Sequence, residues 1–427
     1  MTNLSVMSDR DRLAQERRRP RVYYPAGPGN LIGAFRRWLR EDAEDPNQMA
    51  VTYSGQLFDV CRKFECEVMA VASSPSYPKA EELRDGPFRV RHRPSLWELW
   101  HGPMYHIGEY LGNMRHIASA LWFGADIVVI HGGYGHWYLF APLRLLGIEL
   151  VPVLMVVLWP KHRPLGRAKR FIQRLNGWFF RHSASVILSA SEDCTRQVLE
   201  ITDGRPASIK PFLPKYRPGL FDGLEPPAPP PPFRVLYAGR IESNKGVFDL
   251  LEIARRFAAE GRTDIAFDLC GNGSALNELR REVERAGLAD RFRMHGYCDQ
   301  SMMCRMYGSA HVVIVPTKTE FVEGFNQVVA EAVMSGKPVI TSSVCPALEV
   351  VSEAAVEVPP DDVQAYGDAI LRLYGDPAFY AEKEWACTAL RDKLLNSDLT
   401  YGNVIERVFE DILRRQGWHG LSQTCGH

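Results

Sequence analysis

The sequence has no C-x2-C pair, no cysteine and histidine cluster at zinc-finger spacing, no net charge and no apolar run long enough to cross a bilayer. Its nine cysteines (Cys61, Cys66, Cys194, Cys270, Cys298, Cys304, Cys345, Cys387, Cys425) are scattered, which excludes a disulfide scaffold or a zinc module and reads as reduced, mostly buried thiols of a cytosolic protein. The longest stretch without a charged side chain, Ile127 to Leu143, holds two histidines, three glycines and a proline, so no membrane-spanning helix is expected. The first twenty residues are polar, end in Arg17, Arg18, Arg19 and Pro20, and lack the apolar segment of a signal peptide. The lone D-x-D, Asp9-Arg-Asp11, falls in that tail. A diphosphate bridged by a metal at a strand end is therefore not expected, nor is any cofactor.

What is present is ordinary globular material: 427 residues, 46% hydrophobic and 24% charged, enough for two or three domains. The charge is unevenly placed. Residues 1–218 carry 30 basic and 21 acidic side chains, a balance of +9, and the rest carries −9, which points to an anionic surface or substrate on the first half. The run Glu225 to Pro232, with six prolines in eight residues, cannot sustain a helix or central strand and reads as a stiff linker.

After it, short β-branched runs alternate with amphipathic segments. Strands are expected at Arg234–Gly239, Ala266–Cys270, Arg291–Gly296, Val312–Pro316, Pro338–Thr341 and Val356–Pro359. The first half follows the same logic at Arg21–Tyr24, Cys66–Ala72, Ile127–Ile130, Leu150–Val157 and Ser185–Ser189, and Tyr401–Arg415 closes the chain as a helix. The expected fold is α/β, with two doubly wound Rossmann-like domains facing a cleft. The expected organisation is a polar tail (1–20), a first domain (21–224), the linker (225–232), a second domain (233–397), a C-terminal helix (398–416) and a short tail (417–427). Ligands of open α/β sheets bind at the carboxyl ends of the strands, here the cleft.

The segment Glu323 to Ile340 carries the chemistry. Phe325, Val328, Val329, Ala332 and Val333 follow helical spacing, Gly336 stops the helix and Pro338 opens a strand. Glu323 is thus expected at the helix N-terminus, with Glu331 about 12 Å further along the axis at 1.5 Å per residue. First-turn N–H groups of Gly324, Phe325 and Asn326 would hold an anion between the two carboxylates. Alone, two glutamates on a helix are usually a solvated face. The strand Val235–Gly239, however, delivers Arg240 and then Lys245-Gly246 to the same sheet edge, two cations suited to a charge that grows on a departing diphosphate. Plain surface charge is the bland alternative for both.

These pieces, with Leu269-Cys-Gly271-Asn-Gly273, Phe292-Arg-Met-His-Gly296, Ser309 to Pro316, Glu349-Val-Val351 and Val358-Pro359-Pro-Asp361, resemble the family 4 retaining glycosyltransferases of GT-B fold over nearly all of residues 233–380. In the first half the resemblance rests on Ala125 to His131 and Ala184 to Glu192. It implies a metal-independent, hexosyltransferase-like reaction from a nucleotide-sugar with retention, by front-face attack in which the leaving phosphate takes the acceptor's proton. By position, Arg240 and Lys245 match the diphosphate pair and Glu323 the residue that meets the donor sugar. Glu331 matches the acceptor of ribose hydroxyls, with Gly239, Gly324, Phe325 and Asn326 lining the donor. The acceptor would be a carbohydrate, a lipid-linked or a small molecule, in cell-surface glycan or glycolipid synthesis. No nucleic acid is expected.

One departure is plain. The family's first-domain histidine after a Gly-Ile strand has no counterpart in Gly147 to Pro160, so His131, His136 or His162 are the substitutes to weigh, each also readable as a hydrogen-bonded loop residue. On the same side, Gly29 in Gly27-Pro-Gly29 and the segment Tyr53-Ser-Gly55 both suit a glycine loop. Leu150 to Ser191 contains seven lysines or arginines and no acid. In it Leu165, Ala168, Ile172, Leu175 and Phe179 form an apolar stripe opposite Arg167, Arg170, Arg174 and Arg181. Residues 161–182 are thus either a basic face toward an anionic membrane, giving a cytoplasmic protein peripheral on the inner leaflet, or a solvated helix over a sheet. A dinucleotide oxidoreductase is disfavoured, because Gly271-Asn-Gly273 has Leu276 where a third glycine belongs. A non-catalytic sugar-nucleotide or glycan-binding protein of the same fold stays open as the alternative.

Overall fold

The computed structural model describes residues 18–41, 45, 48–74, 77, 79–94, 102–132, 135–395 and 398–418. Asp9-Arg-Asp11 and Cys425 lie outside them, and the eight described cysteines are free thiols.

The first half builds one eight-stranded sheet from β1 (Arg21–Pro28), β2 (Glu67–Ser73), β3 (Glu81–Asp85), β4 (Phe88–His92), β5 (Ile127–His131), β6 (Glu149–Leu154), β7 (Val186–Ser189) and β8 (Ser208–Pro211). Their order is 3-4-2-1-5-6-7-8, parallel except for the β3–β4 hairpin. Around it lie α1 (Leu31–Leu39), α2 (Tyr53–Lys63), α3 (Pro103–Phe123), α4 (Ala141–Leu145), α5 (Arg167–His182) and α6 (Glu192–Ile201). The second half holds a six-stranded parallel sheet of β9 (Phe233–Ala238), β10 (Ile265–Cys270), β11 (Phe292–Gly296), β12 (Val312–Val315), β13 (Val339–Ser342) and β14 (Ala355–Val358), in the order 11-10-9-12-13-14. Its helices are α7 (Val247–Ala259), α8 (Leu276–Arg285), α9 (Gln300–Ser309), α10 (Gln327–Met334), α11 (Leu348–Val351), α12 (Val363–Gly375) and α13 (Pro377–Leu395), and the chain then runs into α14 (Tyr401–Arg415). Strands such as β5 and β12 are buried on both faces, which is why they read as Val and Ile runs.

Each sheet reverses strand order beside its first strand, at β1/β5 and at β9/β12. These are the two switch points at which open α/β sheets leave a crevice. The expected strands are present. Several elements differ from expectation, among them the unforeseen strand β4. Leu150–Val157 ends as a strand at Leu154, because Val157 turns to donate its N–H to the Glu323 carbonyl of the other half, 3.1 Å away. The unforeseen β3 is an exposed, charged edge strand, and β8 is four residues ending in proline, so neither carries an apolar alternation.

The α14 helix has the expected bounds but returns to the first half: Tyr401, Ile405 and Phe409 share a core with Leu57, Phe58 and Phe64 of the α2 region. The α5 helix is rotated from the expected stripe. Its buried face is Gln173, Asn176, Gly177, Phe179 and Phe180, while Ala168 is exposed. Polar Gln173 and Asn176 face inward because they bind each other, and Asn176 also serves the backbone of Gly135 (2.9 Å) and Tyr138 (3.3 Å). No described helix is long and apolar enough to cross a membrane.

Candidate functional site

At the β9/β12 switch point, β9 runs into Gly239-Arg240 and β12 into Pro316-Thr317, and a cavity of about 460 Å³ opens between these ends and the first half. Gly239, Arg240, Lys245, Glu323, Gly324, Phe325, Asn326 and Glu331 all line it. The eight residues singled out in the second half therefore converge on one space.

Lys245 ends a 3-10 turn, Ser243–Lys245, and its Nζ lies 2.6 Å from Glu323 Oε2. Only 13% and 11% of these two side chains are exposed, so this is a largely desolvated ion pair. Gly246 makes the approach possible: at φ +75° a Cβ would fall 2.1 Å from the Pro316 carbonyl oxygen. The Glu323 carboxylate also accepts from Asn326 Nδ2 (3.1 Å) and from the Gly324 N–H (3.2 Å). Phe321 forms a floor for both cations, 3.6 Å below Lys245 Nζ and 5.4 Å from the Arg240 guanidinium. Among the described residues the Arg240 side chain makes one ion pair, to neighbouring Glu242 at 2.9 Å, and it is 58% exposed, so it is free to swing onto an anion.

The helix expected from Glu323 starts at Gln327. Asn326, at φ +63°, breaks the helical path ahead of it, so Glu323, Gly324 and Phe325 form a loop. The first-turn N–H groups facing an anion accordingly belong to Gln327 and Val328, and the Gly324 N–H serves its neighbouring carboxylate. The loop path lets Gly324 touch the first half: a Cβ there would sit 2.3 Å from the Met155 carbonyl oxygen. Glu331, on α10, is almost completely buried and accepts from Tyr307 Oη at 2.7 Å. Burial pushes its carboxyl up to about 7, against the pull of that hydrogen bond.

Tyr53, Tyr307 and Phe321 were not legible as site residues. Tyr53 enters from α2, in the Tyr53-Ser-Gly55 segment, and its hydroxyl accepts from Gln327 Nε2 at 3.4 Å. Only the glycine signal beside Tyr53 pointed there.

The residues weighed in the first half do not gather at this cavity. His131 ends β5 with its ring packed against Tyr24, Tyr53 and Tyr401 at centroid distances of 5.8, 5.7 and 6.1 Å, and burial lowers it to about 4. Gly29 lies in the turn between β1 and α1, with nothing within 4 Å of a Cβ. His162 is exposed and meets Ser343 Oγ across the cleft at 3.2 Å. His136 lines a neighbouring cavity of about 470 Å³, between the halves, with Glu320 and Val322 on its far wall. There it meets His106 and Glu109 of α3, two residues that gave no sequence signal. Burial, and then His106, draw His136 below the usual histidine range. On α5, Phe171 and Trp178 are 62% and 54% exposed beside exposed Arg167, Arg170 and Arg174.

Two family models match the chain: glycosyl transferases group 1 over residues 225–387, and a glycosyl transferase 4-like domain over residues 50–212. Among curated proteins, 2-deoxystreptamine N-acetyl-D-glucosaminyltransferase of Streptomyces fradiae is 28% identical over 277 residues, 60% of this chain and 64% of that protein. O-antigen chain mannosyltransferase B of Escherichia coli is 27% identical over 201 residues, 47% of this chain and 48% of that protein. With alpha-D-kanosaminyltransferase of Streptomyces kanamyceticus at 36% of its length, the chain spans from about a third to two thirds of these relatives. Among solved structures, sucrose-phosphate synthase of Thermosynechococcus elongatus superposes with a TM-score of 0.66 at 17% identity, covering 93% of this chain and all of that one. Anabaena HepE in complex with UDP gives 0.62 at 16% identity, covering 92% and 100%.

Proposed function

Because the chain belongs to the family 4-type glycosyltransferases of GT-B fold, we propose that its 460 Å³ cavity binds a nucleotide-sugar and passes the sugar to an acceptor hydroxyl with retention of configuration. The observation that carries this reading is the gathering of Arg240, the buried Lys245–Glu323 pair and the buried Glu331 around one space at the switch point. In this reading the ribose hydroxyls donate to Glu331, whose deep burial makes an unpaired charge costly and two hydroxyl donors welcome. The diphosphate lies over the Gln327 and Val328 N–H groups, with Lys245 and Arg240 neutralising the charge that grows as the sugar leaves. These two cations, without a metal, hold the leaving group. Glu323 is poised for the sugar hydroxyls once Lys245 turns to the diphosphate, and the departing phosphate oxygen takes the acceptor's proton. An inactive binding protein has no use for two cations placed to take up charge that grows only as the sugar leaves.

The acceptor side is the 470 Å³ cavity of the first half. We assign it a cell-surface glycan or glycolipid precursor, because the exposed Arg167, Arg170, Arg174, Phe171 and Trp178 of α5 suit an anionic membrane surface carrying a lipid-linked acceptor. The relatives named as acting on 2-deoxystreptamine support a second reading, a small amino-sugar-like acceptor free in solution. A thermal-shift panel of nucleotide-sugars identifies the donor, since ligand at 100 times its dissociation constant adds about 2.7 kcal/mol. Release of nucleoside diphosphate, with NMR assignment of the product anomer, then tests transfer and retention. Donor binding without turnover on any lipid-linked or amino-sugar acceptor contradicts the enzymatic reading.

A further inference from the structure

Beside the acceptor cavity, α3 carries His106 and Glu109 three residues apart, on one helix face, and the turn after β5 brings His136 against them. His106 Nδ1 is 3.1 Å and Glu109 Oε2 3.8 Å from the same atom, His136 Nε2, and one ligand atom from each residue lies within 4.8 Å of the others. Three ligands on a tetrahedral ion with bonds of about 2.1 Å stand roughly 3.4 Å apart. The two short separations bracket that value.

The cluster is held from behind. Glu109 Oε1 accepts from the N–H groups of Gly135 and His136, and buried Asn176 fixes the Gly135 carbonyl. Such outer contacts are what orient metal ligands. In front, Glu109 Oε2 is buried and has no hydrogen-bond partner among the described residues. A proton shared between the two rings satisfies one pair of nitrogens and leaves the carboxylate oxygen unmet. A cation meets all three ligand atoms at once.

We propose that His106, Glu109 and His136 form a binding site for a divalent transition-metal cation, with the remaining coordination position open to the cleft. Two imidazoles and one carboxylate suit zinc and disfavour magnesium or calcium, which take oxygen ligands. Three protein ligands and an open face are the pattern of a site that engages a bound molecule. His106 is exposed, and the cavity beyond it is walled by Trp159, Lys169 and, from the second half, Glu320. An oxygen of the acceptor is the natural fourth ligand; that assignment rests on the transferase reading, whereas cation binding does not. The expectation of a metal-free reaction drawn from the single D-x-D concerns the diphosphate side, and this site is separate from it.

The test uses the full chain, stripped with chelator, dialysed, and titrated with zinc against a chromophoric competitor. One ion per chain is expected, undisturbed by millimolar magnesium. His136→Ala and Glu109→Ala should each weaken it by about 100-fold or more, beyond the 10- to 100-fold seen when an outer-shell group is lost. His106→Ala, at an exposed position, should do the same with the circular dichroism spectrum unchanged, which separates ligand loss from unfolding. Absence of stoichiometric binding, or binding that survives both His106→Ala and His136→Ala, overturns the site. Zinc bound without any transferase turnover would sink the transferase reading and leave the site standing. Turnover without zinc binding would do the reverse.

Discussion

At the switch point of the second sheet the edge is ionic: Arg240 on its glycine hinge, Lys245 paired with Glu323, and Glu331 buried beneath. At the switch point of the first sheet the corresponding edge is aromatic. His131 ends β5 among Tyr24, Tyr53 and Tyr401, and its polar neighbours His106, Glu109 and His136 sit one layer away in the adjoining cavity. One topology thus supplies two unlike edges, and the difference matches the two halves of a transfer reaction. In the transferase reading a diphosphate presents the same charge in every nucleotide-sugar, so the side proposed to hold it carries the cations. The other side must recognise an acceptor by shape and a few placed polar groups.

The ionic edge should therefore break most severely. Lys245→Ala is expected to lower kcat by about 10²-fold or more, through loss of leaving-group stabilisation. It also strands the Glu323 carboxylate in a space only 11% exposed, costing on the order of 3–5 kcal/mol of stability. Adding Glu323→Gln to Lys245→Ala should restore much of the melting temperature and none of the turnover. If the double variant melts as low as the single one, the pair is not the source of the loss. Arg240→Ala should reduce kcat by a similar factor of about 10² while leaving the melting temperature unchanged, because the side chain is mostly exposed.

Next in size is Gly324→Ala. A methyl group 2.3 Å from the Met155 carbonyl oxygen must push the halves apart, at roughly 1–3 kcal/mol. Activity should fall more than domain stability, read as lower kcat/KM with two nearly unshifted unfolding transitions or one broadened one.

The smallest effect is a proton count. Glu331 in the folded protein titrates near 7, above the ordinary carboxylate range, so the free protein is most stable below about pH 4.5 in this respect and loses that contribution as pH rises through 7. Hydroxyl donors from a ribose favour the charged form. Nucleoside diphosphate binding at pH 6 should thus release a fraction of a proton, seen as a dependence of calorimetric enthalpy on buffer ionisation heat. Glu331→Gln should reduce that dependence to the share that the terminal phosphate itself contributes. Proton uptake at pH 6 would contradict the assignment.

The same contrast explains what was legible in the sequence. Arg240 and Lys245 follow β9, and Glu323 and Glu331 lie between β12 and β13, just before and within α10, so strand periodicity and helix punctuation were enough to place them at one sheet edge. The helix start was misplaced by four residues, because a left-handed Asn326 gives no apolar signal of its own. On the first side, His106 and Glu109 lie in the first two turns of α3 and His136 27 residues after Glu109, and they meet only in the folded chain, where Asn176 of α5 holds the Gly135 turn. No local pattern records such a meeting. The α5 stripe failed for a related reason: Gln173 and Asn176 are buried by hydrogen bonds, which hydrophobic periodicity cannot register.

Calorimetric titration with a panel of nucleoside diphosphates in the presence of EDTA asks whether the ionic edge holds a nucleotide diphosphate without a metal. Saturable binding of at least one of them at one site per chain is expected. Glu331→Ala should weaken it by roughly 1.5–3 kcal/mol, as for a lost hydrogen bond to a charged group, and Lys245→Ala should weaken it as well. Binding of none of the panel, or binding that both substitutions leave unchanged, would contradict that reading of the edge.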